Sequence, residues 1–103
     1  MSELIGKKVI IRADRAGVFF GTLKEKRETP AGVEVVMENS RRIWYWDGAA
    51  SLSQLATEGT KRPSGCKFTV VVPEHHVMQV IEIIPCSEAA VKSIESVRVW
   101  RNS

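Results

Sequence analysis

Residues 8–46 consist of short runs of β-branched and aromatic residues separated by turn-forming residues. This pattern restricts the possible folds more than any other feature of the sequence. Such runs predict half-buried strands, and the intervening Pro, Gly, Asn and Asp residues predict tight turns. Gly21, inside the second run, predicts a bend or a close approach of two backbones. The first part of the chain is therefore predicted to form four strands, at residues 8–12, 18–24, 33–38 and 41–46, with a turn at Asn39 and Ser40 before the last.

The pattern changes to helical spacing after residue 50. Ser51 and Gln54 form a capping box that predicts a short helix ending at Gly59, and Ser87 predicts the start of a second helix. Two further strands are predicted between the helices, at 68–72 and 77–84. The sequence thus predicts one α+β domain over residues 1–103, mainly β with two short helices. We expect a small curved SH3-like or Sm-like β-barrel or sheet with the C-terminal helix packed on it.

Several classes of protein are excluded or disfavoured by simple sequence properties. No apolar run approaches the roughly 18 residues that a membrane-spanning helix requires. The start of the sequence lacks a basic stretch followed by an apolar core, so we expect a cytoplasmic location, with Cys66 and Cys86 as reduced thiols. The net charge of +3 is too small for a protein that coats DNA, but it is compatible with a local anion site.

The segment 39–46 is the most informative for function. It contains two arginines and three of the seven aromatic residues but no acidic residue. Indole rings provide stacking surfaces and guanidinium groups bind phosphate, so the segment favours a planar anionic ligand. In the alternative interpretation, the tryptophans fill the core or a subunit contact and the arginines lie along the surface. Strand alternation divides the side chains between two faces, with Arg42, Trp44 and Trp46 on one and Arg41, Ile43 and Tyr45 on the other.

The predicted ligand-binding site combines this segment with basic residues from the first turn and from the loop after the first helix. Its members are Arg12, Asn39, Arg41, Arg42, Trp44, Tyr45, Trp46, Lys61 and Arg62. No catalytic residue, cofactor or metal site is predicted, because the sequence contains no convincing nucleophile–base set, phosphate-binding loop or metal-ligand spacing. His75 and His76 are interpreted as an exposed turn, and we expect a protein that is not an enzyme.

Four segments of the sequence carry a resemblance to a family. They are IGKKVIIR at 5–12, AGVFFGTL at 16–23, RRIWYW with GAASL at 41–52, and IEIIPC at 81–86. Along them the chain resembles small proteins encoded by phages and prophages, of the kind that act as viral nucleotide sponges against bacterial signalling defences such as CBASS. The resemblance implies a phage anti-defence protein that binds a cyclic di- or trinucleotide second messenger and sequesters it without cleaving it.

Sequestration at nanomolar affinity requires a binding free energy of about −12 kcal/mol. This is demanding for one small subunit, because the contacts must also offset the entropy lost on association. We therefore expect a homodimer or higher homo-oligomer with ligand sites at or near the subunit contact. Two alternatives remain open. The same residues would suit an Sm-like or SH3-like module for single-stranded nucleic acid, although a polymeric ligand is less expected, or an inhibitor that binds a host protein through its tryptophans.

Overall fold

The computed structural model describes residues 3–102 and is mainly β with two helices, as the sequence predicts. A 3-10 turn at Pro63–Gly65 follows the first helix. The strands are β1 (Lys8–Ala13), β2 (Gly17–Thr29), β3 (Gly32–Tyr45), β4 (Lys67–Phe68) and β5 (Val72–Pro85), and the helices are α1 (Leu52–Glu58) and α2 (Glu88–Ser96). No helix within this part of the chain is long and apolar enough to cross a membrane.

The sheet closes on itself through one additional pairing. Its strand order is β2–β1–β5–β3–β4, and β2 also pairs with β3, so that β1, β2, β3 and β5 form a ring of antiparallel pairings. In this ring, β1 and β3 each lie between β2 and β5. Residues on β1 are therefore on the opposite side of the ring from residues on β3.

The turn predicted at Asn39 and Ser40 is wrong, because the third and fourth predicted strands are one continuous strand, β3. Asn39 adopts a left-handed conformation, with φ of 52°, which changes the direction of the strand without ending it. Pairing with β5 continues across this point, from Glu38 opposite Glu74 to Ser40 opposite Val72. The turn-forming residues thus mark a bend inside a strand.

Gly21 confirms the close backbone approach that the sequence predicts. A Cβ atom at this position would lie 2.9 Å from the Cα atom of Ser40, which is shorter than real side chains allow. The register between β2 and β3 shifts at the same place, between Phe20 and Thr22. The two strands therefore bend together where they touch.

Two apolar clusters lie on opposite faces of β2. The ring cluster is built by β1, β2, β3 and β5 and includes Phe19 and Met37, whereas the helix cluster lies between the sheet and the two helices and includes Phe20 and Ile94. As the capping pattern predicts, Ser87 caps α2 by accepting a hydrogen bond from the Ala90 amide at 3.0 Å. Helix α2 thus packs on the sheet through the helix cluster.

Candidate functional site

Two exposed tryptophans from distant parts of the sequence stack on each other at the surface. Trp44 on β3 is 59% exposed and Trp100 is 44% exposed, with ring centroids 5.2 Å apart and planes inclined by 29°. The ammonium group of Lys67 lies 5.2 Å from the Trp44 centroid and 5.4 Å from that of Trp100, within cation–π range of both. We call Trp44, Trp100 and Lys67 the indole platform.

Trp100 reaches Trp44 because the segment after α2 runs along β4. Val99 forms a parallel bridge with Phe68, and the Trp100 amide donates a hydrogen bond to the Phe68 carbonyl at 2.8 Å. Residues 97–102 thereby become a neighbour of β4, and the Trp100 side chain is placed beside the exposed face of β3. The platform is assembled from β3, β4 and this C-terminal segment.

Arg41, predicted to contact ligand, is instead buried, with 4% of its surface exposed. Its guanidinium group donates to four carbonyl oxygens, those of Thr69 at 3.0 Å, Ile94 at 3.1 Å, Phe68 at 3.2 Å and Arg98 at 3.4 Å. Burial lowers the pKa of Arg41, and the carbonyl oxygens offset part of the desolvation cost. The expectation that Arg41 binds ligand is corrected, since it ties β3 to the segments that carry Lys67 and Trp100.

Trp46 also differs from its predicted position. It lies one residue beyond the end of β3, packs against the helix cluster and donates its Nε1 hydrogen to the Ala49 carbonyl at 3.2 Å. It therefore does not share the exposed face of Arg42 and Trp44, and we assign it a packing role. Tyr45 is half-exposed at the end of β3, opposite Lys67.

The other predicted site residues do not form one cluster. Arg12 lies on β1, across the ring from Trp44, and pairs with Glu82 at 3.0 Å. Arg62 pairs with Asp47 at 3.4 Å in the loop after α1, where Lys61 is exposed. Asn39 is exposed at the bend of β3. The predicted group of basic residues is thus divided between separate parts of the surface.

All charged residues in the three segments that build the platform are basic. Residues 41–45, 67–71 and 97–102 contain Arg41, Arg42, Lys67, Arg98 and Arg101 and no Asp or Glu. Open grooves of about 390 and 420 Å³ flank Trp100, the first also lined by Arg98 and the second by Arg101. A ligand on the platform would therefore meet aromatic rings and positive charge.

The sequence analysis does not place Lys67, Arg98, Trp100 or Arg101 at the site. A signal was present, because residues 97–101 combine Trp with two Arg and no acid, as do residues 41–46. The second segment is too short and too irregular to indicate its neighbours. Within residues 3–102, no group of three His, Cys, Asp or Glu side chains is arranged to hold a metal ion.

Comparison with known proteins gives one result. No curated protein and no solved structure matches the chain. One family profile matches residues 6–94, a range that includes Trp44 and Lys67 but not Trp100. Because this match covers most of the sequence, the chain belongs to the family described as a domain of unknown function, DUF6948.

Proposed function

We propose that the protein is a non-catalytic phage anti-defence protein that sequesters a cyclic di- or trinucleotide second messenger in the bacterial cytoplasm. The observation that supports this function best is the indole platform, in which two exposed rings and one ammonium group come from segments that contain no Asp or Glu. Stacking on an aromatic side chain contributes about 1–3 kcal/mol per base, and basic side chains bind the phosphates. A nucleotide uses both properties at once.

The openness of the platform favours binding between two copies of the chain. The grooves beside Trp100 are open to solvent, so that one subunit covers one side of a ligand. A cyclic dinucleotide presents two bases, and the platform of a second copy would cover the other side. A twofold-symmetric homodimer encloses such a ligand with the same residues from each subunit.

The proposal also assigns a finer fold class. We interpret the ring of β1, β2, β3 and β5 as a small barrel of the SH3-like or Sm-like class. The support is the closed set of pairings and the two bends, at Gly21 in β2 and at Asn39 in β3. Strongly bent strands are what a barrel with so few strands requires.

Ligand retention tests the proposed function. The protein is incubated with a panel of cyclic di- and trinucleotides, desalted and heat-denatured, and the released ligand is identified by chromatography and mass spectrometry. We expect one member of the panel to be retained and released intact, with one ligand per two chains. Trp44→Ala and Trp100→Ala should each weaken binding about tenfold or more. Ile81→Ala is the matched control, because Ile81 is 55% exposed on β5.

Three outcomes contradict the proposal. Retention of no panel member removes the sponge function, and release of a cleaved nucleotide identifies a nuclease. Affinity that rises with strand length and falls steeply with salt identifies a module for single-stranded nucleic acid instead. Native mass spectrometry tests the predicted homodimer in the same samples.

A further inference from the structure

Arg42 is an exposed cation on the same strand as Trp44 of the indole platform. It lies two residues before Trp44 on the same face of β3, with buried Ile43 between them. No ion pair within residues 3–102 involves Arg42, whereas Arg12 and Arg62 each have a carboxylate within 3.4 Å. Its guanidinium carbon lies 4.8 Å from the centroid of the Phe19 ring, which supports the side chain from below.

His75 on β5 contacts the same phenyl ring. Its imidazole centroid lies 4.8 Å from that of Phe19, with the planes at 87°. The two polar groups therefore converge on one ring at the end of the ring cluster. His76, the next residue, alternates to the outer face and lies 3.0 Å from a carboxylate oxygen of Glu74.

A buried hydroxyl orients the imidazole. Ser40 is fully buried, and its Oγ lies 2.9 Å from Nδ1 of His75. Within the described part of the chain, the imidazole is the one hydrogen-bond partner of this hydroxyl, so we assign the hydroxyl as donor and Nδ1 as acceptor. The neutral imidazole then carries its proton on Nε2, which is the remaining hydrogen-bond donor of the ring.

The electrostatic surroundings favour this neutral form. Burial, followed by the charges of Arg42 and His76, lowers the pKa of His75. The nearby carboxylate of Glu74 is engaged by His76 and by Lys24. Arg42 and His75 thus both offer hydrogen-bond donors to an anion, and neither forms an ion pair with a carboxylate of residues 3–102.

We propose that Arg42 and His75 form a phosphodiester subsite adjoining the indole platform. The identity of the ligand as a nucleotide rests on the proposed function. Side chains two residues apart on one strand face are about 7 Å apart, so a base can stack on Trp44 while its phosphate lies at Arg42. The guanidinium binds two phosphate oxygens in a fork, and Nε2 of His75 donates to the same group.

Histidine NMR tests the subsite directly, because the chain contains two histidines and His76→Gln assigns their signals. The ring signals are followed during titration with inorganic phosphate, dimethyl phosphate and the retained cyclic nucleotide. We expect dimethyl phosphate and the nucleotide to shift the His75 signals while those of His76 stay unchanged. Arg42→Gln should abolish the His75 response and weaken nucleotide binding about tenfold or more.

Two controls separate the subsite from the platform. Arg12→Gln removes a similar charge on the other side of the ring and should leave both responses unchanged. Trp44→Ala should weaken nucleotide binding but preserve the response of His75 to dimethyl phosphate.

The outcomes distinguish the two proposals. If dimethyl phosphate shifts His75 but no cyclic nucleotide is retained, the subsite stands and the proposed function fails. If a cyclic nucleotide binds while His75 is silent and Arg42→Gln binds equally well, the subsite is overturned and the function stands. A response to inorganic phosphate alone, or equal shifts at His75 and His76, also overturns the assignment.

Discussion

Arg41 and Arg42 are identical neighbours on β3, yet they face two regions with opposite physical character. The region around Arg41 is closed, and its guanidinium group donates hydrogen bonds to four backbone carbonyls there. The region around Arg42 is open, and the guanidinium there lies over a phenyl ring. The difference shows that two neighbouring arginines in a strand can have different roles. One holds together the segments that form a surface, and the other is exposed on that surface.

The largest expected effect comes from removing the buried member of the pair. Arg41→Met removes the guanidinium donor from four carbonyl oxygens, of which those of Phe68 and Ile94 keep a backbone donor, and it breaks the contact of β3 with the Arg98 carbonyl. We expect a loss of about 3 kcal/mol in the free energy of unfolding. Arg42→Met should change stability by less than about 1 kcal/mol, because its side chain is exposed. Urea denaturation followed by circular dichroism measures both.

Arg41→Lys sharpens this test. One ammonium group cannot reach carbonyls on three separate segments, so we expect Lys to recover less than half of the loss. Equal stability of Arg41→Met and Arg42→Met would remove the distinction between the two regions.

The next largest effect concerns the close approach of β2 and β3 just before Arg41 and Arg42. Gly21→Ala places a Cβ atom 2.9 Å from the Cα atom of Ser40 and 3.1 Å from the Glu38 carbonyl oxygen. Because these two atoms belong to the backbone and cannot easily move, we expect a loss of about 1–3 kcal/mol in the free energy of unfolding. Gly65→Ala is the matched control, since its nearest neighbour is a carboxylate oxygen of Asp47, which can move. Thermal unfolding of both variants compares them, and an equal loss would show that the close approach at Gly21 is not restrictive.

A smaller effect depends on pH and reports on the open region. The folded protein lowers the pKa of His75 through burial first and then through Arg42 and His76, so folding disfavours its protonation. The stabilising contribution of the neutral ring is complete above the unfolded pKa of about 6.5 and is lost as pH falls through the folded value. We expect His75→Gln to reduce the loss of stability between pH 7 and pH 5, as measured by urea denaturation. An unchanged slope would show that His75 does not titrate in this range.

The smallest perturbation uses the thiol of Cys86, which packs against the helix cluster. Burial raises the pKa of Cys86 from 9 to about 11, so at pH 8 its thiolate population is about 100-fold lower than in the unfolded chain. We expect iodoacetamide to alkylate Cys86 correspondingly more slowly in folded Cys66→Ser than in the same variant in urea. Comparable rates would indicate that the surroundings of Cys86 are open to water.

Local patterns predicted those parts of the fold that depend on local causes. The helix after Ser87 follows from a side-chain cap and helical spacing, and the constraint at Gly21 follows from the absence of a side chain. The bend at Asn39 was predicted as a turn, because the preference of Asn for a left-handed conformation is compatible with a turn and with a bend inside a strand. Which of the two forms depends on strand pairing with β5. Local sequence does not contain that pairing.

The candidate site was predictable to the same extent. Alternation placed Arg42 and Trp44 together on an exposed face, and both are exposed. Alternation did not reveal that Arg41 would meet carbonyls from three distant segments, nor that Trp46 would lie beyond the strand end and turn towards the helices. The contribution of Trp100 depends on where residues 97–102 dock, which is a property of the assembled tertiary structure.

The position of Trp100 outside the ring has a consequence for the indole platform. The strand pairings of the ring end with Pro85, whereas Trp100 docks on β4 through the Phe68 carbonyl. Undocking of residues 97–102 would therefore remove half of the aromatic surface without breaking any pairing of the ring. A ligand that requires both indoles is captured only by molecules in which this segment is docked.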